Sequence, residues 1–353
     1  MKLTRRGIVA AALGSLTACA LPEVVLRPQL TPVGLLVRGV SYVGISVSDL
    51  ARSAEFYGSS ADLVEVNRAP IKDNAAINKI SARSNVIAET RLLRGGNAQL
   101  RLMQFKNPSA AARMSAPMLV QGPGITHVCH QSPASKPLYP RFIAAGGKPV
   151  GRGSGVPIRL VPEVPVRYAY ARDADGVMFE NEIMEIDPPP FDHRIGHVAI
   201  ATTDIERTVR FYNTLLGRLP RERRFNLARP TLDQAANLDN VKVSVAWYTI
   251  GNLELEVWQY LNPAPTPLDK PRPIDATGYN MIVLDVSDVE GASAQLVTAG
   301  GRLEGRPVAM DGGRMAFGRD PDGNLIGLMS PAFGSVFSSA NFKSREAPPA
   351  ASG

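Results

Sequence analysis

Apolar residues follow two kinds of pattern along the chain, one typical of strands and one typical of helices. Residues 195–200 form a run rich in β-branched side chains, which is typical of a buried strand. Asp204 follows, and aspartate is one of the residue types that accept hydrogen bonds from the first N–H groups of a helix. Four apolar side chains then fall on one helix face: Ile205, Val209, Tyr212 and Leu216. The segment therefore predicts a strand followed by a capped helix.

An equivalent segment occurs earlier in the chain. In both copies a Phe-Tyr pair lies 14 residues after the same strand position, which is Tyr42 in the first copy and His197 in the second. Both copies close with alternating apolar and polar residues, which predicts another strand. Arg101 and Glu256 hold equivalent places on these closing strands, each 59 residues after Tyr42 or His197. These matching offsets indicate an internal repeat.

A second repeat is interleaved with the first. Each copy leads to a helix that ends in Ala-Gly-Gly, at Gly147 and at Gly301, and glycine suits the left-handed backbone that ends many helices. A turn of the form Asp-x-Asp-Gly follows, and then a last apolar strand through Glu180 or Gly327. The four modules defined by these repeats are residues 38–107, 122–187, 192–262 and 276–332.

The four modules predict an α+β fold built from βαβββ units. A single unit leaves one face of its sheet uncovered, so we expect the units to pair into two cups, each an open barrel of about eight strands around a cavity. Along the sequence, residues 38–187 would form a first domain and residues 192–332 a second. Proline-rich stretches at 188–190 and 263–273 are typical of linkers.

Composition excludes several classes of protein. The 353 residues are 44% hydrophobic and 20% charged, which excludes a largely disordered chain. The two cysteines, Cys19 and Cys129, are too few for a disulfide scaffold or a four-cysteine zinc site. Outside the N-terminus no run of 18 apolar residues occurs, so the sequence does not predict a protein with several membrane spans.

The first residues resemble a bacterial lipoprotein signal. Lys2, Arg5 and Arg6 precede a mostly apolar stretch, and Leu-Thr-Ala-Cys then ends at Cys19. The resemblance implies that residues 1–18 are a removed signal peptide and that Cys19 carries a lipid. It also implies export to the periplasmic side of a bacterial membrane, by the twin-arginine route if the arginine pair is read as that signal. An uncleaved N-terminal helix is the alternative.

The two ends of the exported chain are expected to lack a packed structure. Residues 19–37 would form a tether and residues 333–353 a flexible tail, because both are rich in proline or polar residues. Removal of the three basic residues of the signal lowers the formal net charge from +7 to +4, which gives little support for a nucleic-acid partner. The expected partners are a small-molecule substrate and, through the lipid on Cys19, a membrane. The sequence does not indicate an oligomeric state.

Three motifs carry a family resemblance. They are the His-Val-Ala-Ile, Asp-Ile-Glu-Arg and Phe-Tyr segment that begins at His197, the Ala-Gly-Gly helix ends, and the Asp-Pro-Asp-Gly-Asn turn that begins at Asp320. Together they resemble the vicinal oxygen chelate superfamily, which includes glyoxalase I, methylmalonyl-CoA epimerase, extradiol dioxygenases and antibiotic-resistance proteins. The resemblance covers nearly all of residues 38–332. It implies that the first strand of each module offers a ligand, usually His, and that the last strand offers another, usually Glu.

Only two modules keep both of these ligand types. In module order, the matching pairs are Tyr42 and Arg101, His127 and Glu180, His197 and Glu256, and Met281 and Gly327. Pairing consecutive modules would give at most two ligands per cup. Pairing the second module with the third gathers all four ligands in one cup, and resemblance to single-chain, four-module glyoxalases favours this crossed arrangement. We therefore predict one complete site, together with a second cup that has no metal ligands and either is inactive or only binds a molecule.

The resemblance implies the chemistry of the complete site. Two imidazoles and two carboxylates suit one divalent ion such as Ni, Co, Zn, Mn or Fe(II). Glu180 and Glu256 are the candidate catalytic bases for an isomerase or lyase reaction through an enediolate. Repulsion between these carboxylates in the metal-free site is expected to raise the pKa of one of them. Cys129 shares the strand phase of His127, whereas His130 is expected to face away.

Two other functions remain open at this point. The first is a non-catalytic lipoprotein that binds or sequesters a small molecule. The second is an extradiol Fe(II) dioxygenase, which Met281 and Gly327 disfavour because those relatives usually take their ligands from the last two modules. Four arginines at 218, 221, 223 and 224 would either attract an anionic substrate or form a solvated loop. Trp247 and Trp258 are expected in a core or a cavity wall.

Overall fold

A computed structural model describes residues 36–342 of the chain. The predicted signal peptide, the lipidation of Cys19, nearly all of the tether and the last part of the predicted tail lie outside these residues. Among the helices described, none is both long and apolar enough to cross a membrane.

Each predicted module forms a strand, a helix and further strands. The first comprises β1 (Val37–Ser46), α1 (Leu50–Ala61), β2 (Val64–Lys72), α2 (Ala75–Ile80), β3 (Ile87–Arg94) and β4 (Gln99–Phe105), and α3 (Ala110–Arg113) follows. The second comprises β5 (Gly124–Pro133), α4 (Tyr139–Ala144), β6 (Lys148–Pro149), β7 (Val166–Arg172) and β8 (Met178–Met184). The third comprises β9 (Arg194–Ala201), α5 (Ile205–Leu216), β10 (Glu222–Ala228), α6 (Pro230–Ala236), β11 (Lys242–Ile250) and β12 (Leu253–Asn262). The fourth comprises β13 (Gly278–Val286), α7 (Val289–Thr298), β14 (Arg302–Leu303), β15 (Val308–Met310), β16 (Gly313–Arg319) and β17 (Leu325–Pro331), and a 3-10 helix follows at Ser339–Asn341.

The modules pair in the crossed order that the ligand distribution predicts. One sheet has the order β14-β16-β17-β13-β1-β4-β3-β2, with β15 beside β16, and joins modules one and four. The other has the order β10-β11-β12-β9-β5-β8-β7-β6 and joins modules two and three. The α+β fold of paired modules is confirmed, and neither sheet closes into a barrel. Each sheet takes one module from each half of the sequence, and the division into domains at 38–187 and 192–332 stays a prediction.

Helix α5 shows how the sequence pattern sets the local structure. The Asp204 side chain accepts a hydrogen bond from the N–H of Arg207 at 3.0 Å and caps the N-terminus. The four apolar residues of the predicted face are buried. Gly217 ends the helix with a φ of 62°, the left-handed conformation that glycine adopts without steric cost.

The paired glycines after α4 and α7 have two separate roles. The first of each pair, Gly146 and Gly300, takes the left-handed backbone, with φ values of 101° and 96°. The second allows close packing, because a Cβ atom on Gly147 would lie 2.8 Å from the Phe142 carbonyl oxygen. The left-handed helix end predicted at the Ala-Gly-Gly motif is therefore formed by the first glycine of each pair.

Helices from all four modules contribute to one core. Residues of α1, α4, α5 and α7 form a single apolar cluster with residues from both sheets. Helix α1 contacts α4, and α5 contacts α7, so consecutive modules also meet through their helices. The opposite, concave faces of the two sheets are left to form the two cups.

Two buried carboxyl groups link the helices to the turns of the following modules. Tyr57 on α1 donates a hydrogen bond to Asp173 at 3.0 Å, and Tyr212 on α5 donates one to Asp320 at 3.1 Å. Burial raises the pKa of both carboxyl groups to about 6, although hydrogen bonds oppose the shift. The pKa of an aspartate side chain in an unfolded chain is about 3.9.

These raised pKa values predict how stability depends on pH. The folded chain binds more protons than the unfolded chain between about pH 4 and 6, so the contribution of these carboxyls to the free energy of unfolding falls as pH rises through that window. Asp320→Asn removes the ionisation at one of these sites. In urea unfolding, the free energy of unfolding of the variant relative to that of the wild type is expected to rise by about 2 kcal/mol between pH 4 and pH 7. The exposed control Asp269→Asn should show no such gain, and a constant Asp320→Asn difference would contradict the assignment.

The chain remains packed after the last strand. Phe337 and Phe342 are buried, and the Ser339 N–H donates to the Asp285 carboxylate at 2.7 Å. The expected flexible tail therefore does not begin at residue 333. Overall polarity predicts flexibility for this segment, but the two phenylalanines bury enough apolar surface to hold residues up to 342 against the sheet.

Candidate metal centre

Four predicted ligands from four neighbouring strands converge in the cup of modules two and three. His127 lies on β5, Glu180 on β8, His197 on β9 and Glu256 on β12. Their candidate ligand atoms all lie within 4.8 Å of one another, and each residue is less than 5% exposed. Residues separated by up to 129 positions in sequence thus form one buried cluster.

The distances are short around His197. Its Nε2 atom lies 3.0 Å from an oxygen of Glu180, 3.1 Å from an oxygen of Glu256 and 3.3 Å from Nε2 of His127. The His127 Nε2 atom lies 3.4 Å from Glu180 and 3.7 Å from Glu256. Two nitrogens and two oxygens therefore point at a shared centre.

The electrostatics differ from the sequence-based expectation. Burial acts to raise the pKa of Glu180, but hydrogen bonds from His127 and His197 outweigh it and lower that pKa to about 2. The histidines likewise hold the pKa of Glu256 well below its usual range, against the effect of burial. Burial acts to lower the pKa of His197, but the two carboxylates raise it well above the usual value. The predicted rise in the pKa of a ligand carboxyl group is therefore wrong. The attraction between each carboxylate and the nearby imidazoles is stronger than the repulsion between the two carboxylates.

The residues present fit a divalent ion. The Glu256 Oε2 atom is buried and lies 3.1 Å from Nε2 of His197, but it has no hydrogen bond of good geometry with any residue from 36 to 342. With neutral imidazoles, the two carboxylates carry a charge of −2, which one divalent cation balances. Imidazole and carboxylate together are donors that borderline transition metals accept.

A second, overlapping cluster contains two residues that the ligand prediction omitted. Cys129 and Glu182 lie within 4.8 Å of the ligand atoms of Glu180 and His197. Burial and the neighbouring Glu180 charge raise the pKa of Glu182 to about 7. Strand alternation could have identified Glu182, because a residue two positions after Glu180 faces the same side of the sheet. His130 lies on the opposite face, with its ring centre 4.9 Å from that of Phe142.

A cavity of about 350 Å³ opens beside the cluster. Glu180, His197 and Glu256 lie in its wall, together with Trp247 and Trp258. The cavity is therefore large enough for a small organic molecule and reaches the candidate ligands directly.

The arginine cluster near β10 is divided between the cavity and its surroundings. Arg221 and Arg224 line the cavity, but Arg221 pairs with Glu254 at 2.6 Å and Arg224 pairs with Glu222. Arg218 donates to a backbone carbonyl, and Arg223 pairs with Glu206. Most of this positive charge is thus compensated within the protein.

The cup of modules one and four is filled by side chains. Arg101 is 1% exposed, pairs with Asp311 and donates to the Tyr42 hydroxyl at 3.1 Å. Met281 and Phe337 pack in the same apolar cluster as Tyr42. Within residues 36–342, the groups of potential metal ligands all lie in the other cup.

Comparison with known proteins agrees with this architecture. Residues 194–328 match the Glyoxalase/Bleomycin resistance protein/Dioxygenase superfamily. The superfamily match spans modules three and four. No curated protein sequence matches the chain.

Solved structures extend the likeness to the other modules. Glyoxalase I from Zea mays is similar with a TM-score of 0.54 and 17% identity, over 83% of this chain and 92% of the maize chain. A putative dioxygenase from Bacillus subtilis is similar with a TM-score of 0.54 and 10% identity, over 89% of this chain and 93% of that chain. At these identities the likeness shows a shared fold.

Proposed function

We propose that the whole chain belongs to this superfamily and is a metal-dependent isomerase or lyase of the glyoxalase type. Its substrate would be a small molecule with two neighbouring oxygens. The observation that carries the proposal is the convergence of His127, Glu180, His197 and Glu256 beside a cavity of about 350 Å³, with the last three in its wall. Export and lipidation at Cys19 stay predictions from the sequence.

The ligand cluster would hold one divalent ion. When bound, such an ion supplies Lewis-acid stabilisation of negative charge on the substrate oxygens. His127 and His197 would bind as neutral imidazoles, and the two carboxylates would balance the charge. The burial of all four residues lowers the local dielectric constant and so strengthens these interactions.

A carboxylate of the cluster would move the proton. Isomerisation through an enediolate requires a base that takes a proton from the carbon next to a carbonyl and returns it to a neighbouring position. Glu180 and Glu256 are the candidates. Both lie in the wall of the cavity, so either carboxylate is placed to contact a substrate C–H group.

The experiment that tests this function combines metal analysis with proton exchange. The full chain, purified without an affinity tag, is expected to retain about one divalent ion per molecule by elemental mass spectrometry. With the hemithioacetal of methylglyoxal or with dihydroxyacetone in D₂O, the loaded protein should exchange the C–H proton next to the carbonyl, as followed by NMR. Bound metal without exchange of either probe would instead favour the non-catalytic binding protein. Absence of stoichiometric metal would contradict the proposal.

A further inference from the structure

One arginine in the cavity wall is held in place and yet has unused donors. Arg194 is the first residue of β9, and its Nε atom donates to Oε1 of Gln131 at 2.6 Å. Its guanidinium carbon lies 3.7 Å from the centre of the Phe191 ring. Neither terminal nitrogen has a hydrogen bond or ion pair with any residue from 36 to 342. The two contacts fix the guanidinium, so its open edge is ready to bind an anion.

The other arginines of the wall are less suited to that role. Arg221 and Arg224 are paired with glutamates. Arg229 also lines the cavity, but no side-chain hydrogen bond or ion pair with the residues described holds it in one position. Arg194 is therefore the wall arginine that combines fixed geometry with free donors. A guanidinium of this kind binds a carboxylate through two parallel hydrogen bonds.

The wall that carries Glu256 is aromatic. Trp247 pairs directly with Glu256 across β11 and β12, and Trp258 lies two residues beyond Glu256, so all three side chains face the cup. The indole N–H of Trp258 has no acceptor among residues 36–342. Val161, Val164 and other apolar residues complete the lining. Such a surface favours a planar, apolar ligand body.

Arg194 is connected to the ligand cluster by two side chains. Gln131 accepts from Arg194 and donates to Glu182. A carboxylate oxygen of Glu182 lies within 4.8 Å of the ligand atoms of Glu180 and His197. A molecule of modest length can therefore contact the guanidinium while its other end reaches the ligand cluster.

We propose that the cavity binds an aromatic carboxylic acid. Its carboxylate pairs with the open edge of Arg194, and its ring packs against Trp247 and Trp258. The neighbouring oxygens that react face His197 and Glu256, a placement that rests on the proposed function. The carboxylate–Arg194 contact itself requires no metal.

Intrinsic fluorescence can test the proposal, because both tryptophans of the chain line this cavity. The probes are 3-phenylpropanoate and 3-phenylpropanamide, which share a ring and a chain length and differ in charge. The wild-type full chain should bind the acid at least about tenfold more tightly than the amide, since charge-assisted bidentate hydrogen bonds are strong. Equal affinities for the two probes would overturn the proposal.

Arg194→Met separates the contribution of the guanidinium from general charge effects. The variant should lose the preference for the acid, to within about threefold, while its affinity for the amide changes little. Arg210→Met is the matched control, because it removes one positive charge from an exposed helix position and should keep the preference. Thermal unfolding checks that both variants fold.

A metal-free arm distinguishes this proposal from the proposed enzyme function. After chelation, the acid preference should persist in the wild type. A preference that survives Arg194→Met but disappears on chelation would place the carboxylate on the metal and overturn the inference. Failure to bind metal, with the Arg194-dependent preference intact, would reject the enzyme function and leave the carboxylate site standing.

Discussion

Replacing Glu256 with glutamine is expected to lower the affinity of the chain for a divalent ion by about 100-fold or more, and to abolish proton exchange. Glutamine has the same size but no charge, so the site loses one of the two anionic ligands that balance the cation. Even changes to groups that only support metal ligands cost about 10- to 100-fold. Isothermal titration with Co(II) or Zn(II), together with the NMR exchange assay, measures both effects.

Met281→Leu provides the matched control for this variant. Met281 occupies the fourth module at the position where the third module has His197, but it lies in the filled cup. Leucine conserves its apolar volume, so metal affinity and exchange should remain at wild-type values. Unfolding in urea verifies that both variants are folded. Unchanged metal affinity in Glu256→Gln would mean that the carboxylate is not a ligand.

The repeats allow much of the fold and the candidate site to be predicted from sequence. Equal offsets between His197 and Glu256, and between Tyr42 and Arg101, place these residues at equivalent strand positions. Strand alternation then assigns them to the concave faces. The presence of His and Glu in modules two and three alone favours crossed pairing, and the strand order confirms that arrangement.

Features outside the repeat pattern could not be obtained in this way. Phe337 belongs to a polar segment after the last module, and nothing in its local sequence indicates that it enters a cup. Arg194 is fixed by Phe191 and Gln131, and Gln131 comes from a different module. Such contacts depend on how the modules pack against one another. The periodicity of a single module gives no information about that packing.

The filled cup gives another example of a contact that the repeat pattern does not reveal. Arg101 takes the strand position that Glu256 occupies in the other cup, and its partner Asp311 lies 210 residues away in the β15–β16 turn. From sequence alone, an arginine at this strand position could be read as a solvated residue, a cup-lining residue or a residue that holds a substrate. Its burial becomes understandable only with a carboxylate beside it, because a buried unpaired cation is strongly disfavoured.

Replacing Asp311 with asparagine is therefore expected to destabilise the chain by about 3–5 kcal/mol. The guanidinium of Arg101 is paired with both carboxylate oxygens of Asp311, with Nη2 to Oδ1 at 3.0 Å. After the change, a buried cation retains only neutral acceptors such as the Tyr42 hydroxyl. Asp311 has a φ of 54°, a conformation that asparagine also tolerates, so the backbone should not contribute to the loss. Urea unfolding of the full chain measures the change.

A double-mutant cycle with Arg101→Met separates the ion pair from other effects. The single Arg101→Met change should cost less than Asp311→Asn, because the remaining Asp311 side chain is 11% exposed and lies closer to solvent than the 2% exposed Arg101 side chain. In the double variant no buried charge remains, and methionine fills apolar space beside Tyr42 and Phe337. The double variant should therefore regain most of the stability lost in Asp311→Asn. Additive losses would instead show that Arg101 and Asp311 do not stabilise each other.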